Sequence, residues 1–300
     1  MSLDDLPPLA PTVDPGGRAY QERVIAAARK VLATTRCETD IPYRTDDYWQ
    51  KLDIFLPVKA GDAPLPVFCF VHGGGWYTGH KEWVTFMAPA VLAAPAIFVT
   101  PSYRHAPAAQ FPAPLEDCAD AVAWVYRNIA RYGGDANRIH LGGHSAGAHL
   151  AALTTLRRDI LAKRGLPFDV IKACYPVSGR YDLGEASARG AGAAPARNGQ
   201  TLVEAFLGPA RDVAGASPTA QVKGNRTPFF VAVGSNDLAG FPAQARDLVA
   251  ALRREAGTVR YEEFEGYNHF MMNEQCSLVD HPWMRGVHEW LRHPPEHGAA

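Results

Sequence analysis

Arg138-Ile139-His140-Leu141-Gly142-Gly143-His144-Ser145-Ala146-Gly147-Ala148-His149-Leu150 changes its apolar period at a serine. The residues before Ser145 read as a short strand, and Ala148-His149-Leu150-Ala151-Ala152-Leu153 reads as the opening of a helix. A strand-to-helix turn this tight pushes the serine oxygen away from the backbone. Gly143 and Gly147 fit it because a side chain there would collide with the neighbouring strand or helix. The serine then has to hold a strained backbone, a condition that persists mainly where function requires it.

The rest of the chain is consistent with a large α/β domain around that turn. Its 300 residues suffice for one large domain or two small ones. The chain is 47% apolar and 20% charged, as in an ordinary globular protein. A formal net charge of -1 and the lack of a basic cluster argue against a nucleic-acid partner. The opening Met1-Ser2-Leu3-Asp4-Asp5-Leu6-Pro7-Pro8 does not read as a secretory signal. No apolar run approaches the roughly 20 residues of a membrane span. A cytoplasmic location, no membrane partner and no metal or organic cofactor are therefore expected. Cys37, Cys69, Cys118, Cys174 and Cys276 show no paired spacing, so neither disulfides nor structural zinc is expected.

Arg18 to Arg36 has helical apolar spacing at Val24, Ile25, Ala28, Val31 and Leu32. Trp49 to Leu56, Pro66 to Val71, Ala96 to Thr100, Ile139 to Leu141, Val170 to Tyr175, Phe229 to Val233 and Val259 to Phe264 read as strands. Glu82 to Ala94, Leu115 to Arg131, Gly147 to Leu161, Phe241 to Ala256 and His281 to Leu291 read as helices between and after them. This alternation predicts a mostly parallel sheet with helices on both faces and active loops at the strand carboxyl ends. The stretch from about 182 to 220 breaks the rhythm and reads as a cap-like excursion over the sheet. The whole is expected to be one domain, residues 1–300. Its last helix is a conceivable homodimer interface unless its apolar face is used against the sheet.

Ser145 needs a base, and a hydroxyl is a poor nucleophile until an imidazole accepts its proton. His269 follows the late strand Val259 to Phe264 through Glu265-Gly266-Tyr267-Asn268 and is the expected partner. Asp237 follows the strand Phe229 to Val233 through Gly234-Ser235-Asn236 and is the expected carboxylate. The order Ser145, Asp237, His269 suits a nucleophile on a strand-turn-helix. An oxyanion would be held by the Ala146 N–H and by N–H groups of His72-Gly73-Gly74-Gly75-Trp76, where successive glycines let the backbone curl inward. The glycine run lacks the Lys-Ser/Thr of a nucleotide loop. His72 reads as a structural residue of that loop.

These segments resemble the α/β-hydrolases, near the hormone-sensitive-lipase-like esterases and the kynurenine formamidase (arylformamidase) branch. The resemblance rests on His72-Gly73-Gly74-Gly75-Trp76, Tyr103-Arg104-His105-Ala106-Pro107, Gly143-His144-Ser145-Ala146-Gly147-Ala148-His149, Tyr175-Pro176-Val177-Ser178-Gly179, and the late Asp237 and His269. It covers roughly residues 40 to 292. It implies an eight-stranded, mostly parallel sheet whose first pair is antiparallel, and oxyanion donors at Gly74, Gly75 and Ala146.

The reading that follows is a carboxylesterase-type serine hydrolase acting on small or medium acyl esters. Arylformamidase is the alternative within the same mechanism, and an inactive small-molecule-binding module is the alternative of another class. Trp76, Tyr77, Trp83, Phe206 and Tyr267 are expected around the substrate, and an ester or aryl amide is the expected partner. Arg104 and Arg180 are candidates for a substrate carboxylate or for structural ion pairs.

Overall fold

Leu65–Val71 (β3) is buried at every position, and its side chains alternate between two cores. Val67, Cys69 and Val71 point to one, Phe68 and Phe70 to the other. That alternation is the pleat of a strand with apolar cover on both faces. The computed structural model describes residues 3–12, 16–45, 47–58, 63–184 and 200–298. In it, β3 lies inside an eight-stranded sheet with Cys37–Pro42 (β1), Lys51–Phe55 (β2), Ile97–Pro101 (β4), Gly134–His144 (β5), Ile171–Val177 (β6), Phe229–Gly234 (β7) and Val259–Phe264 (β8). The order is β1-β2-β4-β3-β5-β6-β7-β8. The β1–β2 and β2–β4 pairs are antiparallel and the remaining five pairs are parallel.

Helices Ala113–Asn128, Ala146–Leu156 and Phe241–Leu252 supply Leu115, Leu150 and Leu248 to one core. Helices Ala88–Leu92 and Pro282–Arg292 supply Val91, Trp283 and Leu291 to the other. This is the α/β-hydrolase architecture. The final helix turns Trp283, Met284, Val287, Trp290 and Leu291 inward, so its apolar face is spent on the sheet rather than on a second subunit. All five cysteines are free thiols, four of them buried. Among the described residues no helix is long and apolar enough to cross a membrane, and no group of three His, Cys, Asp or Glu is arranged to hold a metal ion.

The structure departs from the sequence reading in three places that bear on the site. The residues of β1 were not read as a strand, although the eight strands implied by the resemblance called for one. β1 is an edge strand with no fully buried position, so it lacks an apolar stripe. The expected crossover helix from Glu82 to Ala94 is a 3-10 segment, Lys81–Met87, followed by the short helix Ala88–Leu92. Pro89 stands at the start of that helix, where its missing N–H is tolerated. Ahead of it, Lys81 is turned inward, with its ammonium 3.0 Å from Asp40, 3.1 Å from Asp53 and in contact with Glu82. Finally, His269 is not in a loop but is the first residue of the helix His269–Cys276, capped by the Asn268 side chain. Of the excursion expected at 182–220, residues 185–199 lie outside the described residues. The remainder holds helices Leu202–Leu207 and Val213–Ala216.

Candidate active site

Ser145 joins the end of β5 to the helix Ala146–Leu156 with φ 57° and ψ -121°. Positive φ in a residue with a Cβ is strain of about 1–3 kcal/mol that the surroundings must hold in place. Here they do so by backbone bonds: the Ser145 N–H donates to Val177 O at 3.0 Å, and Ser145 O accepts from His149 N–H at 3.1 Å. The glycines permit the close approach. A Cβ on Gly147 would lie 2.1 Å from Val71 O, and one on Gly143 would lie 2.4 Å from the Gly147 carbonyl carbon.

The geometry brings Ser145, His269 and Asp237 into one hydrogen-bonded line. His269 Nδ1 is 2.7 Å from Asp237 Oδ1, and His269 Nε2 is 2.9 Å from Ser145 Oγ. An ionised carboxylate can only accept, so Nδ1 carries the proton and Nε2 accepts from the Ser145 hydroxyl. Burial opposes the charge of Asp237. The facing His269, the Ser178 hydroxyl and the Leu238 N–H nonetheless hold its pKa below the usual carboxylate value. Asp237 therefore stays ionised where the imidazole needs it.

Two supporting residues were missed from sequence. Ser178, at the end of β6 with φ 53°, donates its hydroxyl to Asp237 Oδ2. Its signal was present in Tyr175-Pro176-Val177-Ser178-Gly179, which carried the resemblance to the arylformamidase branch without Ser178 being given a role. His144 donates from Nε2 to the His269 carbonyl at 2.9 Å, with the two rings 4.6 Å apart. Burial first, then the neighbouring His269, pushes its pKa down to about 3, so it stays neutral.

Gly74 and Gly75 stand across from Ser145 with φ 121° and 61°. Among the described residues neither glycine N–H has a hydrogen-bond acceptor, and both residues line the cavity that contains Ser145 and Ala146. His72 braces the loop from below: Nδ1–H donates to Gly73 O at 2.7 Å, and its ring stacks on Tyr103 at 4.4 Å. Gly74, Gly75 and Ala146 thus line the same cavity as Ser145.

The cavity measures about 290 Å³. Trp76, Tyr77 and Trp83 line it. Phe206 and Tyr267 do not. Phe206 is fully buried behind Trp76, stacked on it at 4.6 Å. Tyr267 packs on Phe264 and His281, at 5.6 and 5.8 Å. Sequence alone could not tell an aromatic facing the mouth from one facing its support. Other wall residues come from the amino-terminal segment, with Thr12, Gly17 and Tyr20. Tyr20 stacks on Phe270 at 4.8 Å. The segment is tied to the glycine loop by Tyr77 OH to Pro11 O, Thr78 Oγ1 to Ala10 O and His80 Nε2 to Pro7 O, each 2.9 Å. Arg180 lines the cavity, whereas Arg104 is committed to Asp117 through Nε and Nη2, both at 2.8 Å. Arg104 is thus the structural ion pair and Arg180 the cavity residue.

The sequence model of BD-FAE matches residues 52–252, which run from β2 to the helix Phe241–Leu252 and include Ser145 and Asp237. The chain belongs to the BD-FAE family. It is 33% identical over 237 residues to esterase LipQ of Mycobacterium tuberculosis, an alignment covering 77% of this chain and 56% of LipQ. The chain thus spans about half the length of that relative. It is 27% identical over 276 residues to the kynurenine formamidase of Danio rerio, covering 89% of this chain and 85% of that enzyme. Among solved structures, a putative thioesterase from Silicibacter superposes with a TM-score of 0.71 at 25% identity, covering 90% of this chain and 93% of that one. His269 lies beyond the BD-FAE match, and its placement opposite Ser145 comes from the fold alone.

Proposed function

We propose that this chain is a serine hydrolase that cleaves carboxylic esters of small or medium acyl groups through an acyl-serine intermediate. The observation that carries the reading is the Ser145–His269–Asp237 line opening onto a cavity lined by backbone donors. His269 Nε2 takes the Ser145 proton as Oγ attacks the carbonyl carbon. The N–H groups of Gly74, Gly75 and Ala146 stabilise the oxyanion. The imidazolium, held by Asp237, then protonates the leaving oxygen. Water attacks the acyl-serine with His269 as base, releasing the acid and restoring the hydroxyl. The amino-terminal helix and the described parts of residues 182–220 act as walls and support of the acyl and leaving-group space.

A cavity of about 290 Å³ has room for more than a one-carbon acyl group, which favours ester substrates over formyl amides. One observation favours the arylformamidase reading instead: the alignment to the formamidase runs nearly end to end, whereas LipQ is matched over little more than half its length. Rates on an aryl acetate, an aryl butyrate and N-formylkynurenine separate the two. The ester reading expects kcat/KM for both esters to exceed that for the formyl amide. The reverse ranking overturns it in favour of formamidase.

Asp237→Asn is expected to lower kcat by roughly 10²- to 10⁴-fold. The amide lacks the charge that stabilises the imidazolium. If its NH2 turns toward Nδ1, it also forces the imidazole proton onto Nε2, where it cannot accept from Ser145. Steady-state rates on the better ester decide this, and turnover within a few-fold of wild type would mean that another acid serves His269.

A further inference from the structure

Trp76 is the third consecutive residue of the glycine loop with positive φ, at 66° after Gly74 and Gly75. Unlike the glycines it carries a side chain, so this conformation has to be enforced from outside. The indole is buried, and its surroundings are specific. Nε1–H donates to His149 Nδ1 at 3.1 Å, and the ring stacks on Phe206 at 4.6 Å with an interplanar angle of 21°. His149, fully buried on the helix that begins at Ala146, passes the bond on: its Nε2 lies 2.7 Å from Ala216 O.

The direction of this relay is fixed by chemistry. An indole nitrogen can only donate, so His149 Nδ1 must accept and Nε2 must carry the proton to the Ala216 carbonyl. A second proton on His149 would face the indole N–H. Burial keeps the imidazole neutral, with its pKa pushed down to about 4. Phe206 and Ala216 both belong to the segment between β6 and β7, outside the sheet. The relay therefore joins three parts of the chain: the glycine loop, the nucleophile helix and the excursion.

We infer that Trp76, His149 and Phe206 are positioning residues that hold the Gly74 and Gly75 N–H groups toward the reacting carbonyl, making the excursion a brace for the oxyanion loop as well as a wall. This rests on the hydrolase reading above. The two peptides that carry these N–H groups are pinned within the loop, Gly73 O by His72 Nδ1–H and Gly74 O by the Tyr77 and Thr78 N–H groups, and the Trp76 indole ties that turn as a unit to the nucleophile helix. Donors work only within about 2.7–3.1 Å of the oxyanion. A brace anchored on the helix that also carries Ser145 keeps donors and nucleophile in one frame.

The test uses the full chain and an aryl ester. Trp76→Phe keeps a ring against Phe206 and removes the N–H. His149→Leu removes the relay, while His149→Asn places an amide oxygen where Nδ1 accepts. Trp76→Phe and His149→Leu are expected to lower kcat roughly 10- to 100-fold with KM changed by less than about threefold, because donor placement matters most in the transition state. Labelling of Ser145 by a fluorophosphonate, which mimics the tetrahedral species, is expected to slow by a similar factor. His149→Asn is expected to recover most of the lost kcat. Variants with wild-type kcat, a loss confined to KM, or His149→Asn no better than His149→Leu would each overturn the relay. A wild-type chain that neither labels nor turns over overturns the hydrolase reading and the relay with it. A wild type that does both, with variants that match it, overturns the relay alone.

Discussion

Ser145→Ala is expected to keep the fold and to lose ester hydrolysis by at least about 10⁴-fold. The argument is one of atoms. Oγ forms the bond to the acyl carbon, and it is hydrogen-bonded to His269 Nε2. Removing it leaves the imidazole, the carboxylate and the loop donors in place, so residual activity reflects water attacking a bound, polarised ester. Stability is expected to change little. Alanine also carries a Cβ, so the strain at φ 57° is neither relieved nor increased. The backbone bonds to Val177 O and from His149 N–H are kept. The measurement pairs kcat/KM on an aryl acetate with a thermal melt. Turnover within tenfold of wild type in a normally folded variant would remove Ser145 from the mechanism.

The second large effect is on stability in acid. His72, His140, His144 and His149 are all buried within the fold. Burial lowers all four pKa values: to about 3 for His140 and His144, about 4 for His149, and well below the ordinary value for His72. Unfolded, each titrates near about 6.5. Between those values the unfolded chain binds more protons than the folded one. The stability these groups confer is complete above about pH 6.5 and is lost as pH falls toward 3–4. Asp53 works the other way. Burial pushes it up to about 7 against the pull of Lys81, so the folded state holds its proton in the same window. With His105 and His281 held down to about 3 and about 4 in the same way, the histidines outnumber Asp53, and unfolding near pH 5 takes up protons, so stability falls as pH falls. Against a typical stability of about 5–15 kcal/mol, acidification through this window removes a large part of the margin. Urea titrations at pH 7.5, 6 and 5 read this slope directly. His140→Phe is expected to flatten it by about one proton, although it leaves the Tyr175 hydroxyl without its imidazole partner. A stability that stays level from pH 7.5 to 5 would contradict the account.

The sheet and the three aligned residues were legible because each leaves a local mark. β3 and β7 are continuous apolar runs, and Ser145, Asp237 and His269 each follow a strand. Where the reading failed, the deciding contact was distant in sequence. β1 has no apolar stripe, and its pairing with β2 is what makes it a strand. The Lys81 segment looks like a helix until Asp40 and Asp53 draw its ammonium inward. Phe206 and Tyr267 have the composition of cavity residues, but packing against Trp76 and His281 turned them into supports. The wall contributed by Thr12, Gly17 and Tyr20 leaves no motif, because it is made by docking an amino-terminal segment through three backbone carbonyls.

That docking has an evolutionary consequence. The atoms proposed to break bonds sit on strand ends and turns where a single added methyl would collide with backbone, as at Gly147. The aromatic wall instead rests on Tyr20 from near the amino end and Phe270 from near the carboxyl end, meeting by ring stacking. At Tyr20 and Phe270 the wall is held by side chains alone, apart from the backbone that fixes Ser145. A ring-for-ring exchange there would reshape the wall while leaving that backbone in place.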